Sequence, residues 1–216
     1  MESDWVDGRK QWTWEQIAQL PWVNICLVAV NVIVFLICTF TGELLYNIGA
    51  FGVSDIIEDR AYYRMLTSMF LHADTQHLFN NMVILFFVGE IVEKKIGHIA
   101  YMLIYFLSGI MGDVFSMGYE LLSGEFYSSV GASGAVFGVE GALFVLVLYN
   151  RGRLESITMG RMVFAILFSL YNGFTSTSTN NAAHVGGILA GFAVTALIMF
   201  LRLPHKIRKD RGLNEN

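Results

Sequence analysis

Six stretches of this 216-residue chain are too apolar to be left in water, and they limit its fold more than any other feature. They run from Pro21 to Phe40, His77 to about Ile91, His98 to Met117, Ser133 to Tyr149, about Arg161 to Phe174, and Asn181 to Leu201. Crossing a hydrocarbon core of about 30 Å takes roughly 20 mainly apolar helical residues, because backbone without water must bond to itself. Charged residues make up 15% of the chain, apolar residues 55%, and the mean hydropathy is +0.53. A soluble domain carries about 25% charged residues, so a polar surface is missing here. The predicted fold is an all-α membrane protein, a bundle of six transmembrane helices.

The basic residues orient the bundle. If the connections alternate sides, all but Arg60 and Arg64 of the 14 Lys and Arg fall on one side. The positive-inside rule makes that side cytoplasmic, with both termini on it. The predicted organisation is a short interfacial segment over 1–20 with Trp5, Trp12 and Trp14, a membrane domain over 21–201, and a basic cytoplasmic tail over 202–216. The first run is not read as a cleaved signal peptide, since no small-residue cleavage site precedes a soluble chain. The long connection from Thr41 to about Gln76 lies outside. Its apolar residues, Phe51, Ile56, Ile57, Tyr62, Tyr63, Met65, Leu66, Met69 and Phe70, predict partial association with the membrane or the bundle. Cys26 and Cys38 are about 18 Å apart along one helix, too far to pair. The net charge of −4 names no partner, and neither a nucleic-acid partner nor a cofactor is expected.

Polar side chains inside a bilayer need a partner or a task. Gly131-Ala132-Ser133-Gly134 opens the fourth run. Alone it fits an N-cap serine; it also fits a nucleophile on a tight turn beside free first-turn amides. Ala183-His184-Val185-Gly186-Gly187 opens the sixth run, which offers His184 no carboxylate. Gly134 and Gly138 are four apart in one helix, as are Gly187 and Gly191 in the other. Such small-residue stripes let two helices approach closely, which a Ser133–His184 hydrogen bond requires. The two residues also share a depth, which favours catalysis over structure. His77 and Asn81 share one face of the second run. They suit an oxyanion hole, interhelical hydrogen bonds or, with His72 and Asp74, a metal. Metal is disfavoured because His72 and His77 would point to different helix faces and no HExxH is present. Glu140, about 10 Å below Ser133, is expected to bond a neighbouring helix, and Asp113 has no assigned role.

From Trp22 to Leu201 the chain resembles the rhomboid family of intramembrane serine proteases, in its six-helix bacterial form. The motifs are His77-Leu78-Phe79-Asn80-Asn81, Gly131-Ala132-Ser133-Gly134, and Ala183-His184 followed by Gly187 and Gly191, in that order on runs two, four and six. Tyr63-Arg64 resembles the family's aromatic-Arg pair, and Glu93-Lys94-Lys95-Ile96-Gly97 its basic turn. The resemblance implies Ser133 as nucleophile and His184 as general base. It implies an oxyanion hole of His77, Asn81 and the Ser133 N–H, supported by Gly131, Gly134, Phe137, Gly187 and Gly191. Phe137 stands where the family often has Tyr, and its ring can still stack on His184. Transmembrane proteins cut near a small residue are the implied substrates, and a bacterial plasma membrane the implied location. Ser68, Ser128, Ser129 and the Thr175–Asn181 loop would help admit water. The rival readings are a silent rhomboid-like client binder, whose relatives lack the Ser or the His, and a transporter or metal-binding membrane protein, which would show paired acids or His across inverted repeats.

Overall fold

The computed structural model describes residues 5–6, 9–10, 17–175 and 180–210. Most of them are helical. Three helices are long and apolar enough to cross a membrane: α1 (Trp22–Thr41), α7 (His98–Ser123) and the Asn181–Arg202 part of α10 (Asn181–Asp210). Two further apolar helices are shorter, α8 (Ser133–Tyr149) and α9 (Met159–Thr175). Of the N-terminal segment the backbone forms a small hairpin, β1 (Trp5–Val6) against β2 (Arg9–Lys10). Trp12 and Trp14 lie outside the described residues.

α8 is the centre of the bundle. Apart from Glu140 it has no charged residue, and Gly134, Ala135, Gly138, Gly141 and Ala142 leave its surface smooth. It is buried nearly all round, and α10 and α7 make its most extensive contacts. A methyl built on Gly187 would lie 2.0 Å from the Gly134 carbonyl oxygen, and one on Gly191 1.9 Å from that of Gly138. No side chain fits there, so α8 and α10 touch backbone to backbone. On the other flank, a methyl on Gly112 of α7 would meet the Ala183 carbonyl at 2.9 Å.

The second apolar run is not one regular helix. α5 (Thr75–Ile84) passes through a π turn at Leu85–Gly89 into α6 (Glu90–Ile96). The widened turn brings Gly89 against α1 and α7, where any Cβ would strike Asn24 Oδ1 at 2.2 Å and the Tyr101 hydroxyl at 2.3 Å. Such single π turns accommodate local packing that a regular helix would forbid. The third run extends to Ser123, six residues past Met117, and stops at Gly124 in the left-handed conformation (φ 74°). The basic end of α6 is locked by Glu93, whose buried carboxylate accepts from the Val23 and Asn24 N–H groups at 3.0 and 2.7 Å and pairs with His98. An anion at those first-turn amides suits the dipole of α1. Lys95 reaches Glu155 at 2.9 Å, beside the β3–β4 hairpin (Arg153–Leu154 with Ile157–Thr158).

The long connection between α1 and α5 is mostly built, not loose. It holds the short helices α2 (Leu44–Gly49), α3 (Val53–Ile57) and α4 (Arg64–Thr67), then a 3₁₀ turn at Ser68–Phe70. Phe51, Val53, Ile56, Met69 and Leu71 are buried, while Ile57, Tyr62, Tyr63 and Leu66 are exposed. Arg64 ties the layer together, donating to the Ala50 carbonyl at 3.0 Å and facing Asp55 at 3.5 Å. Phe51 and Ser129 exchange backbone hydrogen bonds of 2.9 and 2.8 Å, which pins the layer to the strand of chain entering α8.

Candidate active site

The segment before Ser133 has its conformation dictated by glycine. Gly131 adopts φ +136°, a region closed to most L residues, and its N–H donates to the Ser68 carbonyl at 2.9 Å. A Cβ there would collide with the His77 ring at 2.6 Å and approach Ser133 Oγ at 3.7 Å. The missing side chain therefore lets the imidazole of His77 and the hydroxyl of Ser133 border the same glycine. Ser133 itself is the first residue of α8 and half-buried; Ala132 holds the cap position.

His184 lies on the first turn of α10, buried, its ring stacked on Phe137 with centroids 4.2 Å apart and planes at 26°. Phe137 follows Ser133 by one helical turn, so the stack holds the imidazole on the Ser133 face of α8. Its Nδ1 is buried with no hydrogen-bond partner among the described residues. Asn81, on α5 one turn past His77, is also buried, and its Nδ2 likewise finds no partner there. Buried polar atoms of this kind are uncommon in folded proteins and call for an explanation. The supporting glycines fall where α8 and α10 meet: Gly134 against Gly187, Gly138 against Gly191.

Three sequence readings change. His72 and His77 do not sit on one helix: α5 begins at Thr75, and His72 precedes it with its ring edge-on to His77 at 5.1 Å. Burial, then the neighbouring His77, push the His72 imidazole down to about 4. Asp74 is taken up as the N-cap of α5, accepting from the His77 N–H at 2.8 Å. Among the described residues, no three His, Cys, Asp or Glu converge as metal ligands would. Glu140 is expected to bond a neighbouring helix, but it is buried with its Oε2 lacking a hydrogen-bond partner among the described residues.

Asn180 was overlooked in the sequence. Its Oδ1 accepts from the Ala183 N–H at 3.1 Å, and its Nδ2 donates to Ser116 Oγ at 2.6 Å and Ser129 Oγ at 2.8 Å. An Asn just ahead of an apolar run was the available signal for a helix cap. Ser68 donates to Asp113 Oδ2 at 3.3 Å. Ser68, Asp113, Ser129, Ser133 and Asn180 all line one cavity of about 30 Å³. Residues 176–179 of the polar loop lie outside the described residues.

Comparison with known proteins places this arrangement in a family. The Rhomboid domain family model matches residues 59–200. The rhomboid protease GluP of Bacillus subtilis is 31% identical over 82% of this chain and 35% of its own length. The putative rhomboid protease YdcA of the same organism is 31% identical over 79% of this chain and 77% of its own length. RHOMBOID-like protein 7 of Arabidopsis thaliana is 33% identical over 76% of this chain and 50% of its own length. The chain thus spans about a third of GluP and half of the plant protein. It belongs to the rhomboid family and is a multi-pass membrane protein.

Proposed function

We propose that this chain is an intramembrane serine endopeptidase that cuts transmembrane proteins through Ser133 and His184. His184 takes the Ser133 proton as Oγ attacks a peptide carbonyl, and the same imidazole returns it to the leaving amine. Water then resolves the acyl-enzyme by the reverse path. Among the described residues no side chain hydrogen-bonds the imidazole Nδ1; the Phe137 stack and the packed helices hold it, a variation on the triad. Charge developing on the carbonyl oxygen is met by the Ser133 N–H, His77 and the unpartnered Asn81 amide.

The observation that carries this reading is the placement of Ser133 and His184 on the two helices in backbone contact. Phe137 of α8 stacks on the His184 imidazole, and Asn81 Nδ2 on α5 has no hydrogen-bond partner among the described residues. We read six membrane crossings over 21–201, α5 with α6 as the second and α9 as the fifth, with both termini cytoplasmic and a bacterial plasma membrane as the site. α8 spans only about 25 Å, so a helix starting at Ser133 begins below the outer surface. The test is cleavage of a model transmembrane substrate by the protein reconstituted in vesicles. Wild type should cut and Ser133→Ala should not; turnover by the Ser133 variant would refute the dyad.

A further inference from the structure

We propose that Glu120 and Asn180 are positioning residues, joined through Ser116 in a hydrogen-bond chain that fixes His184 relative to Ser133; this rests on the protease reading above. Asn180 stands just ahead of α10, and both its side chain and its backbone serve the first turn of that helix. Its Oδ1 accepts from the Ala183 N–H at 3.1 Å and its carbonyl from the His184 N–H at 3.3 Å. The other half of the amide leaves α10. Its Nδ2 donates to Ser129 Oγ at 2.8 Å, four residues ahead of Ser133, and to Ser116 Oγ of α7 at 2.6 Å. An amide NH₂ has two hydrogens, and the two serine oxygens take one each. One side chain therefore braces the segment that delivers the nucleophile against the turn that carries the base.

The direction of the chain follows from what each group can do. Only an oxygen accepts from the Ala183 N–H, so the amide nitrogen of Asn180 has to face the two serines. Ser116 Oγ then acts as an acceptor, and its own proton goes to Glu120 Oε1 at 2.8 Å. Glu120 is fully buried near the C-terminal end of α7, and its Oε2 accepts from the Tyr127 N–H at 3.4 Å. By holding the Ser116 proton, Glu120 keeps the Ser116 lone pairs turned toward Asn180. Were that proton released toward Asn180, hydrogen would face hydrogen. The amide would be driven to flip, and the Ala183 N–H would lose its acceptor. Glu120 thus acts on the His184 turn without touching it.

The experiment measures kcat and KM on one model transmembrane substrate with the full chain in vesicles, and Tm in detergent. The variants are Glu120→Gln, Asn180→Ala, both together, and Asn180→Asp. A glutamine accepts through one oxygen, so it serves either Ser116 or Tyr127 and not both. Glu120→Gln should lower kcat by about tenfold and Asn180→Ala by up to about a hundredfold, the scale of a small shift of reacting groups, with KM little changed. Because the two act through one chain, the double variant should be no slower than Asn180→Ala alone. Asn180→Asp still caps Ala183 but turns an acceptor toward the serines, so it should keep Tm near wild type and lose rate. Losses that multiply in the double variant, wild-type kcat in Glu120→Gln, or wild-type kcat in Asn180→Asp each overturns the inference. If Asn180→Ala does not insert, Ser116→Ala, which removes the link between the two ends, takes its place in the cycle. Wild type that cuts no substrate refutes the protease reading and this inference with it. Any of the overturning results with an active wild type refutes the inference alone.

Discussion

At the scale of single residues, groups that composition cannot distinguish have separate proposed tasks. In the proposed mechanism Ser133 and His184 perform the bond chemistry, so Ser133→Ala and His184→Ala should each lower cleavage by at least about 10⁴-fold while the protein still inserts. As a proposed oxyanion donor Asn81 acts only when charge develops, so Asn81→Ala should reduce kcat by about 10²–10³ and leave Tm nearly unchanged. His77 as a second donor could soften that loss. A structural Asn81 would give the opposite pair of readings, a lowered Tm with kcat intact in the folded fraction. His72 and His77 share a ring contact and Asp74 is occupied as a cap, so EDTA should leave activity untouched. Loss of activity with EDTA and its return with zinc would revive the metal reading.

At the scale of elements, the glycines on α8 and α10 let the two helices approach closely, and in the proposed mechanism that sets the distance between the halves of the dyad. A Cβ at Gly187 or Gly191 meets a backbone carbonyl within 2.0 Å or less, and backbone cannot turn aside as a side chain can. Gly187→Leu and Gly191→Leu should therefore displace α10. A shift of about 1 Å at reacting groups can cost about a hundredfold in rate. Full activity in either leucine variant would show that these glycines do not govern the approach. This stripe was legible in the sequence because small residues four apart leave a periodic trace. So was the start of α8 at Ser133, where an apolar run meets a glycine-flanked polar residue. The π turn at Leu85–Gly89 was not, since it follows from what Gly89 meets on α1 and α7, contacts far away along the chain. Asn180 escaped for the same reason: its cap was readable locally, but its bonds to Ser116 and Ser129 join segments 64 and 51 residues apart. Asp113 could be noticed as an acid in an apolar run, yet its position on a cavity with Ser133 exists only in the folded chain.

At the scale of the whole molecule, the candidate site depends on the bundle and on the layer built from α2, α3 and α4 together. The Phe51–Ser129 bridge and the Gly131–Ser68 hydrogen bond anchor that layer to the chain entering α8. The proposed orientation puts the layer outside and the β3–β4 hairpin in the cytoplasm. In a background with Cys26 and Cys38 replaced by Ser, Tyr62→Cys should react with an impermeant maleimide on intact cells, and Ser156→Cys only after permeabilisation. The reverse pattern would invert the topology. The central claim is that folding brings a nucleophile and its base together at the top of two touching helices. A fluorophosphonate probe tests it most directly, because it reports an activated serine without any knowledge of the natural substrate. Peptide mass mapping of the labelled wild type should find the adduct on Ser133, and His184→Ala should lose it while remaining folded. Wild-type protein that takes no label, or carries it on another serine, or labels equally without His184, would contradict the account.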